Sequence, residues 1–355
     1  MNRLTILGTT LLTLLFFTVI TLFSLTSHAD AATKKKYVKK RTAGTSTVVV
    51  LGKYNDISKV KQVLRSTECP APAKVQAVSS PRKKSTTSPV DNSRIGKLIS
   101  ARSAIIIDGR SGRTLYAKNA DNPRQPASTI KILTGMIALK SLSGSEQVSV
   151  SRRAADQPRS KVDLNPKKHY QANDLINAVL LASANDASVA LAEKIAGSES
   201  SFARMMTEKA REWGAKNTVC KTASGLTAKG QTSTARDLAV MFRHFMQDPA
   251  FASRMKQVKV KTSYGSLLRN HNKALWQVEG TQGGKTGFTN AARQTYVGKF
   301  KRGNQEIVIA VMGCETMWAD VKKLVQHGFS LQERLVAAPS SSTIAGHELV
   351  ARSTP

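Results

Sequence analysis

The stretch "EGTQGGKTGFTN", residues 279–290, admits two readings. Its "GGKT" resembles the end of a phosphate-cradling loop, and its "KTG" resembles a strand that grips a carboxylate. The phosphate reading needs a glycine five residues before the second glycine, and Lys-Ser/Thr opening a helix. Glu279 occupies the earlier position. The residues that follow include Thr286, Phe288, Thr289, Thr295, Tyr296, Val297 and Phe300, which favour strand over helix. The carboxylate reading stands if the rest of the chain supplies partners for Lys285.

Those partners lie in the middle of the chain. "PASTIK", residues 126–131, puts Ser128 at a helix start and Lys131 three residues on. Residues i and i+3 share a helix face, so a hydroxyl sits beside an amine. Serine is a weak nucleophile until a neighbour takes its proton. Lysine can take it when burial and nearby positive charge disfavour the ammonium. Alone this pattern means little, since Ser58/Lys61 and Ser80/Lys83 repeat it off any apolar helix, and an ordinary N-cap explains Ser128 equally well. "SAND", residues 183–186, sets Ser183 and Asn185 into an otherwise apolar run, where polar groups are costly unless paired or facing a cleft. A helix–helix turn lined by Ser and Asn is the bland alternative. Ser183-x-Asn185 and Lys285-Thr286-Gly287 each occur once. Gly287 leaves room for close approach on a strand, and an edge strand can pair with an extended peptide.

The pattern around these motifs reads as strands first, helices in the middle and strands last. "ARSAIIIDGRSGRTLYAKNA" reads as a hairpin, and "STIKILTGMIALKSL" as a helix ending at Gly144. "QANDLINAVLLASANDASVALAEKIAG" reads as helical throughout, stopping at Gly197. "SFARMMTEKAREWG" and "STARDLAVMFRHFMQ" are further helices, the second stopping before Pro249. "QTYVGKFKRGNQEIVIAVMGC" reads strand–turn–strand, and "MWADVKKLVQHGFSLQERL" closes as a helix. This order predicts a mixed α/β fold. Distant strands pair in one antiparallel sheet flanked by helices, a helical lobe sits beside it, and the cleft between them holds the site.

Four segments follow. Residues 1–32 combine a basic start, a long apolar run and "TSHADAA", a secretory signal pattern. The run is also long enough for an uncleaved anchor. Either way the rest is expected outside the cytoplasmic membrane, in the periplasm or envelope. Residues 33–97 carry sixteen Lys+Arg against three Asp+Glu with few large apolar groups. They read as a basic tether unable to fold alone, a solvated spacer or a contact for anionic membrane or wall surfaces. Residues 98–335 form the catalytic domain, and 336–355 a polar tail. The formal net charge of +31 raises nucleic-acid binding, but the export signal and the lack of aromatic interleaving argue against it. Cys69, Cys220 and Cys314 match no metal motif, with a Cys220–Cys314 bridge left open. The six histidines are scattered and are assigned to neither metal nor catalysis. No metal or cofactor is expected.

The ordered trio S-x-x-K, S-x-N, K-T-G is the serine acyl-transfer signature of penicillin-binding proteins and class A β-lactamases. Residues 99–332 resemble the D-alanyl-D-alanine carboxypeptidase family, the low-molecular-mass penicillin-binding proteins of peptidase family S11. "GRTLYAKNADNPRQPASTIKILTGMIAL", "TASGL", "TSTARDLA" and "NHNKALWQVEGTQGGKTGFTNAA" look like that family's sequence blocks. The resemblance implies a β-lactamase/penicillin-binding-protein-like fold and an enzyme acting on D-alanyl-D-alanine stem peptides of peptidoglycan, and binding of β-lactam antibiotics. It implies that Ser128 forms the acyl-enzyme, Lys131 is general base, and Ser183 and Lys285 tune proton transfer. Asn185 would hold the substrate amide, and Thr286 and Gly287 would line the substrate strand. The amides of Ser128 and Phe288 would form the oxyanion hole.

The chain departs from that family at several positions. Ala184 stands where members often have Gly. An arginine that helps bind the substrate carboxylate in many members aligns with Asp320, so Arg293 becomes the candidate replacement, oriented by Asp320. Only about twenty residues follow Leu335, which resembles shorter members, some of them D,D-endopeptidases. That activity is the alternative reading. A class A β-lactamase needs a Glu-x-x-x-Asn base between S-x-N and K-T-G, and residues 187–282 contain none. A non-catalytic wall-binding protein is disfavoured by the intact trio.

Overall fold

A computed structural model describes the backbone of residues 38–42, 45–49 and 92–337. Cys69, segment 1–32, most of the basic segment and the tail beyond 337 lie outside the described residues. Two units separate, Met1–Ser85 and Thr86–Pro355. In the first, β1 (Val38–Thr42) pairs antiparallel with β2 (Thr45–Val49), with Val38 opposite Val49. The sequence reading gave this stretch to the basic tether and named no element there.

The second unit opens with α1 (Asn92–Leu98), which the sequence reading gave to the tether. Ile95 and Ile99 lie four residues apart and both are buried, which draws this turn into the body. Five strands form one antiparallel sheet in the order β4-β3-β11-β10-β9. They are β3 (Ser103–Asp108), β4 (Thr114–Lys118), β9 (Thr281–Thr289), β10 (Arg293–Arg302) and β11 (Gln305–Cys314). The first long strand therefore pairs with the last, Ile105 opposite Ala310, and the K-T-G strand β9 is an edge.

Both faces of the sheet are covered, and the period-2 alternation decides which residue faces which side. Ile105, Ile107, Val308 and Ala310 join the core of the helical lobe. Ala104, Ile106, Ile307 and Ile309 join a second core with Val321, Leu324 and Val325. The last three belong to the long closing helix (Met317–Ala337).

In the helical lobe, a 3₁₀ turn (Ala127–Ile130) runs into α2 (Lys131–Ser141), which is buried over its first eight residues. The stretch read as one helix is two. Helix α4 (Ala172–Leu180) stops, and α5 (Asn185–Ala196) starts after a break at 181–184. Ser183 takes a left-handed φ of 59°, which no helix accommodates. Asp186 then caps the far wall, accepting from the Val162 and Leu164 amides. Helix α6 (Glu199–Glu212) starts at Ser198 and α7 (Ala235–Phe245) at Thr234, each cap accepting an amide three residues on. A short helix α8 (Pro249–Lys256) follows, with Pro at its first position and Asp248 as its cap. The sequence reading had ended the helices before Pro249.

Cys220 and Cys314 are free, buried thiols, so the bridge left open by the sequence is not made. Asp320, expected near Arg293, is instead wholly buried. Its carboxylate accepts from Ser100 N at 2.9 Å and Ser100 Oγ at 2.7 Å, tying the closing helix to the segment before β3.

Asp320→Ala leaves that amide without its partner in a buried place. We expect a loss of about 1–3 kcal/mol, read as a lower urea midpoint with unchanged slope. An unchanged midpoint would remove this tie from the fold's stability.

Candidate active site

Three segments that are far apart in sequence meet at Lys131. Its side chain has no exposed surface. Nζ lies 3.0 Å from Ser128 Oγ, 2.7 Å from Asn185 Oδ1 and 2.6 Å from the Ser224 carbonyl oxygen. As an ammonium it donates to all three. As a neutral amine it keeps two N–H donors for Asn185 and Ser224, and its lone pair faces the Ser128 O–H. Burial, and then the positive charge of Lys285, hold the Lys131 pKa well below its ordinary value, while Asp186 opposes them.

Ser128 sits in the 3₁₀ turn, preceded by Ala127 at φ 49°. Two glycines let neighbouring backbone close on this turn. At Gly225, φ is 79° and a Cβ would fall 2.0 Å from the Ala127 carbonyl oxygen. At Gly287 a Cβ would fall 2.8 Å from the Ser128 amide nitrogen and 2.9 Å from that of Thr129. The glycine of K-T-G therefore lets β9 approach the turn that opens helix α2.

On the opposite wall, Lys285 Nζ donates to Ser183 Oγ at 2.8 Å and to the Thr286 carbonyl at 3.0 Å. Lys285 is buried, and that burial pulls its pKa down to about 7. The left-handed turn at Ser183 aims its hydroxyl at this lysine. Asn185 opens α5, and both ends of its amide are engaged. Oδ1 accepts from Lys131, and Nδ2 donates to the Pro158 carbonyl at 2.8 Å. The expected role in holding a substrate amide thus starts from an Asn already bound to the lysine.

A cleft of about 460 Å³ opens over these groups. Ser128, Ser183, Asn185, Thr286, Gly287 and Phe288 line it, so the structure brings six of the nine sequence-derived site residues to one cleft. Lys131 and Lys285 stand behind its lining, buried and bonded to Ser128, Asn185 and Ser183. Phe288 is 57% exposed. Arg293 is the exception. Its guanidinium pairs with Glu315 in an exposed ion pair, and it is not among the lining residues. Its expected partner Asp320 is bonded to Ser100 instead. Met317 and Trp318 line the cleft close to where the alignment had sought an arginine.

Sequence reasoning missed several contributors. Ser224 acts through its backbone carbonyl, which no side-chain pattern reveals, though "TASGL" marked the segment. Arg159, Ser160, Leu226, His271 and Gln294 also line the cleft. His271 is one of the histidines set aside. The cleft walls, and then Lys285 and Lys131, lower its pKa and favour the neutral ring.

The model of the D-alanyl-D-alanine carboxypeptidases, peptidase family S11, matches residues 86–316. The chain belongs to the D-alanyl-D-alanine carboxypeptidase family. It is 33% identical over 263 residues to D-alanyl-D-alanine carboxypeptidase DacF of Bacillus subtilis, covering 69% of this chain and 66% of that protein. The chain thus spans just under two thirds of that relative. Among solved structures, the D-alanyl-D-alanine carboxypeptidase of Mycobacterium tuberculosis superposes with a TM-score of 0.64 at 32% identity, covering 69% of this chain and 95% of that one. Penicillin-binding protein D2 of Listeria monocytogenes, solved with ampicillin bound, gives 0.60 at 28% identity, covering 65% and 98%. The fold expected from the motifs is the family's fold.

The depressed Lys285 makes stability depend on pH. Its folded pKa, about 7, lies below the unfolded value near ~10.4, so the native state binds fewer protons between the two. Stability from this group is full above the unfolded value and is lost as pH falls toward 7. Relative to Lys285→Met, the wild type should therefore gain about 2–4 kcal/mol between pH 7 and pH ~10. Parallel stability curves for the two proteins in urea melts would contradict a depressed Lys285.

Proposed function

We propose that this chain is a serine D-alanyl-D-alanine carboxypeptidase acting on peptidoglycan stem peptides through an acyl-enzyme on Ser128. The observation that carries this reading is the buried Lys131 amine 3.0 Å from Ser128 Oγ, on a cleft whose other wall holds the Lys285–Ser183 pair.

In acylation, the Ser128 O–H proton passes to Lys131 Nζ as Oγ attacks the carbonyl carbon of the penultimate D-alanine. The amides of Ser128 and Phe288 receive the oxyanion, where fixed donors act most strongly. The Thr286 hydroxyl takes the terminal carboxylate, with the charge of Lys285 behind it. Lys131 gives that proton through Ser183 to the leaving nitrogen, the C–N bond breaks, and D-alanine departs. Water then attacks the ester carbonyl as its proton passes to Lys131, the C–Oγ bond breaks, and Lys131 returns the proton to Ser128 Oγ. Asn185 orients Lys131 and, on turning Nδ2 away from Pro158, reaches the substrate amide. β-Lactams acylate the same oxygen, in keeping with the ampicillin-bound Listeria relative.

This chemistry fits an enzyme outside the cytoplasmic membrane, where its polymer lies, and the export pattern of residues 1–32 supports that reading. The basic segment 33–97 would hold it near anionic membrane or wall surfaces.

Ser128→Ala should abolish both covalent labelling by a fluorescent penicillin and release of alanine from a purified stem peptide, with an unchanged melting curve. Lys131→Arg should behave alike, since a guanidinium stays charged. Labelling that survives Ser128→Ala would move the nucleophile elsewhere. Mass spectrometry of the products separates loss of one alanine from cleavage of a cross-link, the D,D-endopeptidase outcome.

Arg293→Ala should leave kcat/KM on a free-carboxylate peptide within about threefold, the scale of an exposed ion pair. A loss of tenfold or more on that peptide would return Arg293 to the carboxylate site.

A further inference from the structure

A two-stranded ribbon stands beside the cleft and takes no part in the chemistry above. It consists of β7 (Lys259–Lys261) and β8 (Leu267–Arg269), paired antiparallel. The register sets Lys259 opposite Arg269 and Lys261 opposite Leu267, so these four side chains share one face. All four are exposed. The other face carries Val260 and the buried Leu268, which pack into the core. Asp174 grips the turn by accepting from Ser263 N and Oγ, so the ribbon is firmly mounted.

Like charges directly opposite one another destabilise a strand pair. Lys259 and Arg269 are such a pair. Lys256 precedes the ribbon and Lys273 follows it, both exposed. Among the described residues, none of these five cationic head groups, Lys261 included, makes an ion pair or hydrogen bond. Elsewhere on the body, cations such as Lys140, Lys299 and Arg236 each hold a carboxylate. Apolar side chains accompany these unpaired cations. Leu267 is 50% exposed on the ribbon's outer face, Val258 is 48% exposed at its start and Trp276 is 54% exposed one turn beyond Lys273. Asn270 ties the exit of the ribbon to its start by donating to the Gln257 carbonyl at 2.8 Å.

We infer that this face docks the catalytic body on the anionic surface of a phospholipid bilayer. The unpaired cations match lipid phosphates, and each is worth about 1 kcal/mol near such a surface. Exposed Leu, Val and Trp have no use for a soluble polyanion, but they suit the boundary between head groups and acyl chains, where Trp is enriched. The contact is separate from the basic segment 33–97. It holds the cleft wall at His271, two residues after the ribbon, close to the membrane.

The test uses the full chain and vesicles of phosphatidylcholine with or without phosphatidylglycerol, read by co-sedimentation. Three variants are compared: Lys259→Glu/Arg269→Glu, Leu267→Ser, and the charge-matched control Lys167→Glu/Lys216→Glu on other exposed ground. Covalent penicillin labelling confirms that each is folded. The ribbon double variant should lose about 10- to 30-fold in binding to the anionic vesicles. The control should lose clearly less, and Leu267→Ser should weaken retention at high salt. Equal losses for ribbon and control would reduce the effect to net charge and overturn the proposal. If the ribbon variant also loses binding to soluble polyphosphate while Leu267→Ser changes nothing, the face takes an anionic wall polymer, and the membrane assignment fails.

Discussion

The structure depends on one burial. Lys131 has no exposed surface, and its amine meets acceptors from three segments: the turn that holds Ser128, the start of helix α5 at Asn185, and the carbonyl of Ser224. An unpaired charge in such a place is expensive. The oxygens around Nζ offset part of that cost, while a second buried lysine, Lys285, adds to it and so favours the neutral amine. The sheet joins the helical lobe beside this amine through β9, where Gly287 lies against the Ser128 turn and Lys285 donates to Ser183. The break between α4 and α5, the close approach permitted by Gly225 and the edge position of β9 each make sense as a requirement of that meeting.

The two lysines differ in their partners. Lys131 has three oxygen partners, the Ser128 hydroxyl among them. Lys285 has the Ser183 hydroxyl and one carbonyl, and its pKa comes down to about 7 by burial alone. Burial lowers the pKa of both amines, and at Lys131 the charge of Lys285 adds to it, so the pocket favours a neutral amine beside Ser128. The family's chemistry follows from burial of ordinary lysines, with no metal or cofactor in the steps derived.

Much of this was legible in the sequence. The three motifs in order predicted the convergence of Ser128, Lys131, Ser183, Asn185 and Lys285, because each residue type carries its chemistry in its side chain. Strands first and last predicted the β3–β11 pairing. What was not legible depended on contacts across long sequence separations or on backbone atoms. Ser224 works through a carbonyl, and any residue has one. The break at 181–184 is set by the left-handed Ser183 and by Asp186 reaching back to residues 162 and 164, and the sequence offered a Ser/Asn-lined turn there only as an alternative. Asp320 looked like an electrostatic partner for Arg293. It is a structural acid whose partner, Ser100, lies 220 residues away, and Glu315, nearer in space, took the arginine. The β7–β8 ribbon carries no motif that marks it in the sequence, and only its register sets Lys259 opposite Arg269.

The central claim is that Lys131 is a neutral amine when the enzyme works. The most direct measurement is an NMR titration of its Nζ in the folded protein, labelled with ¹⁵N-lysine and assigned by comparison with Lys131→Arg. The account predicts a titration midpoint well below the ~10.4 of free lysine, with a second depressed lysine, Lys285, shifting when Lys131 is replaced. A Lys131 resonance that stays protonated up to pH ~10 would contradict it, and proton removal from Ser128 would then need another base.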